Sequence, residues 1–419
     1  MEEGLIHGVK LSSVGPANVT GPDAVTEPHN IDLAMKLHYL RGIYFFGSGL
    51  AFAGFTILSV KEPLFTWLDQ FPVPCGRFRR RDSGRPYIKC NDCGARLIQA
   101  NSHKTLHEWL HMNNHDYDTL LCANHFIGPE LQFSPLVYLQ ITNFKCGGVA
   151  VGLSWAHVLG DAFSAAKFIN MLGRAVSGFK PDRPINLPQT LNRPSNPRGL
   201  PKSGSDPLSV KRVDPVGDNW VHAAPCKMDT FSFDVKISHL RSKLGGDFPP
   251  FEALAAVIWQ CVARVRAEAR VVNVFRRSEE NSGNGTLGNT QIVSVAKADF
   301  AVAEANPSEL VRLLRDEASD DRRMIDEVVE RDGGLSDFIV YGANLSFVNL
   351  EEATFYDFEC NGQKPVRVVY RVDGVGEKGA VLVLPGVVEG GGGRLVTVML
   401  PENEVAGVKS ELKREGVMA

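Results

Sequence analysis

His157 and Asp161 stand four residues apart in the segment Ser154-Trp155-Ala156-His157-Val158-Leu159-Gly160-Asp161-Ala162-Phe163. A neutral imidazole can take the proton of a hydroxyl or amine as that group attacks a thioester carbonyl, so His157 is the candidate general base. Asp161 is expected at a helix N-terminus, where the helix dipole favours a carboxylate, and its expected role is to fix the turn that carries the histidine. Trp155 and Phe163 flank the pair, and Gly160 leaves space beside it. This spacing is common, and a buried histidine beside a capping aspartate also produces it. Its place between a strand and a helix is what singles it out.

The elements around it are read from periodicity. Val137, Leu139 and Ile141 alternate, Cys146-Gly147-Gly148 breaks the run, and Val149, Val151 and Leu153 resume it, which predicts a hairpin. From Asp161 the period changes, with Phe163, Phe168, Met171 and Leu172 at helical spacing. His157 therefore sits at a strand-to-helix junction, where side chains can reach a cleft. A similar arrangement recurs near the end, where the predicted strand Leu395–Leu400 feeds a helix over Glu402–Leu412. That junction reads Pro401-Glu402-Asn403 and has no histidine, as expected of two similar domains of which one carries the base.

The 419 residues exceed one ordinary core, and the hydrophobic and charged contents of 44% and 22% suit two globular domains. Residues 1–177 read as a mixed α/β domain and 178–225 as a proline-rich crossover. Residues 226–419 read as a second α/β domain. In the second half strands are expected at Thr230–Val235, Gln291–Val295, Phe338–Tyr341, Val366–Tyr370 and Ala380–Leu384. A short helix is expected around Ile237–Leu244, and an amphipathic one along Phe251, Leu254, Ala255, Ile258, Val262 and Val265. Another, capped by Asn306-Pro307-Ser308, is expected from Glu309 towards Glu330.

A formal net charge of −3 argues against nucleic acid as a partner. The cysteines form no disulfide framework, which fits a reducing cytoplasmic compartment, and the acidic N-terminus Met1-Glu2-Glu3 is unlike a secretory signal. Cys90-Asn91-Asp92-Cys93 has no second ligand pair, so a turn between strands is expected and no metal site. The uncharged run Ile43–Val60 divides into a buried strand and a helix start, its glycines speaking against a membrane span. Arg77 with Arg79, Arg80 and Arg81 is expected as a solvated loop, Asp320-Asp321-Arg322-Arg323 as an exposed helix face, and Gly390–Gly393 as a hairpin tip.

Gly152-Leu153-Ser154-Trp155-Ala156-His157-Val158-Leu159-Gly160-Asp161-Ala162 resembles the HxxxD segment of the plant BAHD acyltransferases. The resemblance spans nearly the whole chain. Phe71-Pro72 with Gly76-Arg77 and Cys90-Asn91-Asp92 resembles the family's early hairpin, and Phe251-Glu252-Ala253-Leu254 through Trp259 its second-domain helix. Leu33-Ala34-Met35-Lys36-Leu37-His38-Tyr39 and Cys146-Gly147-Gly148 are similar to the Eceriferum/Glossy group associated with cuticular wax.

The resemblance implies an α/β fold of two chloramphenicol-acetyltransferase-like domains joined by a long crossover, with a channel between them. It implies His157 as general base, Asp161 as its orienting partner, and acyl-CoA as the substrate of any transfer, with no covalently bound cofactor. The family's Asp-Phe-Gly-Trp-Gly signature is replaced by Asp357-Phe358-Glu359-Cys360-Asn361-Gly362, and Leu37 stands where the family's Leu-Ser-x-x-Asp element has its aspartate. Asp357 is accordingly expected as a structural residue near the site.

Three functions follow from the resemblance. The first is an auxiliary factor promoting very-long-chain fatty acid elongation for cuticular wax. It would be monomeric apart from a 3-ketoacyl-CoA synthase partner at the cytosolic face of the endoplasmic reticulum. The alternative is an active acyl-CoA-dependent O- or N-acyltransferase using His157. The third is a module that binds acyl-CoA without chemistry.

Overall fold

The computed structural model describes residues 4–47, 56–112, 115–179, 205–238, 240, 248–266, 269–278, 287–316, 319–386 and 393–418. Two mixed sheets carry the architecture. The first has six strands in the order Ile6–Val14, Ala95–Ser102, Val137–Phe144, Val149–Ala156, Tyr39–Phe46 and Arg367–Asp373. The second has seven, in the order Met228–Lys236, Gly393–Pro401, Ala380–Pro385, Leu345–Asn349, Val271–Arg276, Ile292–Lys297 and Ser319–Asp320. Helices cover the sheets, which gives the two-domain α/β fold that the sequence implies.

Local pattern explains the elements nearest the site. Phe144 and Gly148 close the hairpin, and Gly147 turns it at φ +83, a conformation that glycine adopts without steric cost. Helix Ala162–Val176 buries Ala162, Ala165, Phe168, Ile169 and Leu172, one stripe at helical spacing. Helix Pro250–Val265 starts on a proline whose missing N–H costs nothing at a helix start, and it buries every residue from Phe251 to Val262. The run Ile43–Val60 contributes to the all-buried strand Tyr39–Phe46 and to helix Ile57–Leu68. Among the described residues no helix is long and apolar enough to cross a membrane.

Several expectations change. Strand Arg367–Asp373, from the second half, pairs antiparallel with Tyr39–Phe46 and forms the edge of the first sheet. The helix expected from Glu309 to Glu330 is two helices, Pro307–Asp316 and Arg322–Arg331. Between them Ser319–Asp320 pairs with Ser294–Val295, and the Asp321 N–H bonds to the Val293 carbonyl, so an open sheet edge overrides helix periodicity. Asp321 is consequently buried rather than part of an exposed helix face.

The arginine run is a strand, Arg77–Arg80, not a solvated loop. Arg77 is buried, donating to the carbonyls of Gly76 and Gly94 at 2.7 and 2.9 Å. Arg80 and Arg81 pair with Asp218 and Glu27. The helix expected around Ile237–Leu244 and the glycine tip at 390–393 fall largely outside the described residues. The strands Ile6–Val14, Val271–Arg276 and Leu345–Asn349 are not among those expected from periodicity.

Candidate functional site

Strand Val149–Ala156 delivers the chain to one turn of 3₁₀ helix, His157–Leu159, and Gly160 then reverses it into the helix that Asp161 caps. Gly160 has φ 143, and a Cβ there would lie 2.8 Å from Ser164 Cβ and 2.9 Å from the Gly288 nitrogen. The Trp155 indole donates to the Gly160 carbonyl at 2.9 Å, pinning the reversal from below. Gly160→Ala is therefore expected to cost about 2–4 kcal/mol, combining backbone strain with overpacking. Gly147→Ala also sits at positive φ but meets nothing within 4 Å, so it should cost only about 1–2 kcal/mol. Urea unfolding of both variants checks the ranking.

The Asp161 carboxylate accepts from Ser164 N at 3.0 Å, which caps the helix. It also accepts from Thr290 N and Oγ1 at 2.9 and 3.0 Å and from Gln291 N at 3.2 Å. Burial raises its pKa, and these donors oppose the rise. Gly288 reinforces the joint by accepting from Asp161 N and Ser164 Oγ. Asp161 thus clamps the helix of the first domain to the 287–291 segment of the second, and none of its hydrogen bonds is to the His157 ring.

His157 is 1% exposed. Its Nε2 lies 3.0 Å from the Tyr341 hydroxyl. Burial pushes its pKa down to about 4, with its own carbonyl and the Asn289 side chain opposing, so the ring is neutral near pH 7. Burial raises the Tyr341 phenol, which stays protonated and donates to Nε2 in the tautomer that carries its proton on Nδ1.

A second buried histidine completes the arrangement. The His38 carbonyl accepts the His157 N–H at 3.1 Å, while its Nε2 accepts from Val340 N at 2.9 Å and Tyr341 N at 3.4 Å. Burial, and then the neighbouring His157, push its pKa down to about 3. Asn289 Nδ2 donates to the His157 carbonyl and to buried Asp32, both at 2.9 Å.

The predicted site residues separate accordingly. Trp155, Gly160, His157 and Asp161 form one unit, whereas the Asp357 side chain is 61% exposed and faces Lys364 at 3.5 Å. Phe358 does the docking of that loop. Its ring meets Tyr44 and Phe46 edge-on at 5.2 Å each, and a Cβ on Gly173 would lie 2.7 Å from it. An aromatic anchor thus holds the loop in the absence of a Gly-Trp-Gly core. Periodicity pointed to none of His38, Asn289, Asp32 or Tyr341. His38 lies in the segment Leu33–Tyr39 that resembles the Eceriferum/Glossy group, Tyr341 ends an expected strand that assigned it no role, and Asn289 and Asp32 carry no local signal.

A cavity of about 370 Å³ lies between the edge strand Arg367–Asp373 and strands of the second sheet, lined by Leu37, Arg41, Arg371, Asp373, Thr397 and Met399 among others. Neither His157 nor Asp161 lines it. It reaches Leu37 and Gly374, which lie against His38.

The fold has known counterparts. The chain resembles the crystal structure of vinorine synthase, with TM-score 0.72, 18% identity, and coverage of 99% of this chain and 98% of that one. It also resembles TRI101 of F. graminearum complexed with coenzyme A and deoxynivalenol, with TM-score 0.72, 14% identity, and coverage of 94% and 99%. In sequence it is 43% identical to Protein ECERIFERUM 26-like of Arabidopsis thaliana, over 99% of this chain and 97% of that one. It is 37% identical to Protein ECERIFERUM 2 of the same plant, over 98% and 99%. With the model described as "Transferase family" matching residues 29–414 as well, the chain belongs to the BAHD-type Transferase family, and within it to the Eceriferum-like group.

Proposed function

We propose that the protein promotes very-long-chain fatty acid elongation for cuticular wax as a non-catalytic companion of the 3-ketoacyl-CoA synthase, at the cytosolic face of the endoplasmic reticulum. The observation that carries this reading is the state of the candidate base. His157 is buried, its Nε2 is engaged by Tyr341, and the cavity between the sheets does not include it. A general base needs that nitrogen within hydrogen-bond reach of the substrate proton. Full-length similarity to the ECERIFERUM proteins supports the same direction, since the resemblance to that group implies a role in wax formation.

A second reading, an acyl-CoA-dependent O- or N-acyltransferase, draws on one observation. His157 is kept neutral by burial, the state a base requires.

The test is complementation of a wax-deficient plant with wild type, His157→Ala and His157→Gln, scoring wax chain lengths at matched protein levels. The expected result is full restoration of the longest chains by all three. Loss of those chains in both variants, with protein accumulating normally, would sink the auxiliary reading and favour the transferase.

A further inference from the structure

We propose that Tyr341 is a latch on the candidate base, whose phenol occupies Nε2 of His157 and withholds it from any acceptor hydroxyl or amine. Acyl transfer is then latent in this fold, and the phenol at residue 341 is the contact that holds the base nitrogen. The inference rests on the reading that His157 is idle in the protein's own function.

The latch is built in at three levels. The hydroxyl is 3.0 Å from Nε2, and both residues are 1% exposed. The Tyr341 ring is held on both sides, stacked on Phe275 at 4.5 Å and 18° and standing edge-on to His38 at 5.1 Å and 90°. Its backbone is fixed as well. The Tyr341 N–H points to His38 Nε2, and its carbonyl accepts from Gly376 N at 2.9 Å. Gly342 turns at φ +83 against Gly376, where a Cβ would lie 2.5 Å from the Gly376 nitrogen.

His38 is the common support, since its carbonyl holds the His157 backbone and its imidazole holds the Val340–Tyr341 backbone. It is therefore a positioning residue for both halves of the contact. The ring cannot drift from the imidazole without breaking several of these contacts together.

With the phenol removed, Nε2 has an unpaired lone pair. It can then take the proton from an alcohol, whose oxygen attacks the thioester carbonyl. The C–O bond forms, the C–S bond breaks, and the departing thiolate recovers the proton from His157. The products are an ester and free coenzyme A, or a fatty acid when water is the acceptor.

The experiment uses the purified full chain as wild type, Tyr341→Phe, and Tyr341→Phe combined with His157→Ala. Thiol release from a long-chain acyl-CoA is followed with and without a primary alcohol. In parallel, diethyl pyrocarbonate labelling of each histidine is mapped by mass spectrometry, with the exposed His103 as internal reference. Tyr341→Phe is expected to raise thiol release at least tenfold over wild type, and the double variant to abolish the gain. His157 should label at least tenfold more slowly than His103 in wild type and faster in Tyr341→Phe.

If Tyr341→Phe lowers thiol release instead, the tyrosine assists the chemistry and the latch is wrong. If His157 labels as fast as His103 in wild type, the latch is wrong whether or not the variant folds. Failure here leaves the elongation role standing, because that role is decided by the His157 variants in the plant. Failure in the plant, conversely, leaves the labelling result intact.

Discussion

Lowering the pH from 7 to 5 is expected to cost the fold about 4 kcal/mol through His38 and His157 alone. Both imidazoles are buried, and their pKa values fall from the usual 6.5 to about 3 and about 4. The cause is first desolvation of the charged form, with His157 adding to the depression of His38. The sign follows from where the protons bind. Below pH 6.5 the unfolded chain takes up protons that the folded histidines refuse, so stability is present above that pH and is lost as pH falls toward the folded values. At pH 5 each histidine is about 1.5 pH units into that window, or about 2 kcal/mol.

The buried carboxyls Asp32, Asp161 and Asp321 act in the opposite sense. Burial raises their pKa values, so the folded state holds their protons more tightly and gains stability as pH falls toward 3.8. The histidine contribution is isolated by comparing denaturant unfolding at pH 7 and pH 5 for wild type, His38→Gln and His157→Gln. Each variant should shrink the pH difference by about half of the histidine share. Parallel curves for all three would show that neither ring is held neutral by the fold.

Replacing Arg41 by Leu is expected to cost about 3–5 kcal/mol, the range for removing one partner of a buried ion pair. Arg41 is 1% exposed on strand Tyr39–Phe46. Its Nε donates to Asp373 at 2.7 Å, its Nη1 to the Ala123 carbonyl at 3.0 Å and to Ser154 Oγ, and its Nη2 to the His125 carbonyl at 2.9 Å. Leucine leaves two carbonyls and a hydroxyl without that partner, while Asp373 keeps only Arg371 at 3.3 Å.

Arg41→Lys keeps the charge but has a point ammonium instead of a planar fork, so it should still cost about 2 kcal/mol. Because Asp373 immediately precedes Gly374, which packs on Leu37 and His38, the loss should loosen the site as well as the sheet. Urea midpoints of wild type, Arg41→Lys and Arg41→Leu give the ranking. A lysine variant as stable as wild type would mean that the fork geometry contributes nothing.

The sequence by itself determined the local parts of the site. The hairpin Val137–Ala156, the junction at His157, the Asp161 cap and the helix behind it were legible, because a two-residue period giving way to a helical one is written in consecutive residues. The same holds for helix Pro250–Val265 and for the final strand and helix. Length and the proline-rich crossover pointed to two domains, and family resemblance added their chloramphenicol-acetyltransferase-like form.

Only the tertiary structure decided what His157 touches. Tyr341 is 184 positions away, and the Asn289 that links Asp32 to His157 lies 257 positions from Asp32. Strand Arg367–Asp373 joins the first sheet by edge pairing, and Ser319–Asp320 breaks a helical pattern in the same way. Arg77 reads as a surface charge in its run and is buried because carbonyls of a neighbouring turn surround it. Local periodicity reports which face of an element is apolar; it carries no information about which distant polar atom will meet a buried nitrogen. That choice is made by packing two sheets together, and here it brought a phenol onto the candidate base.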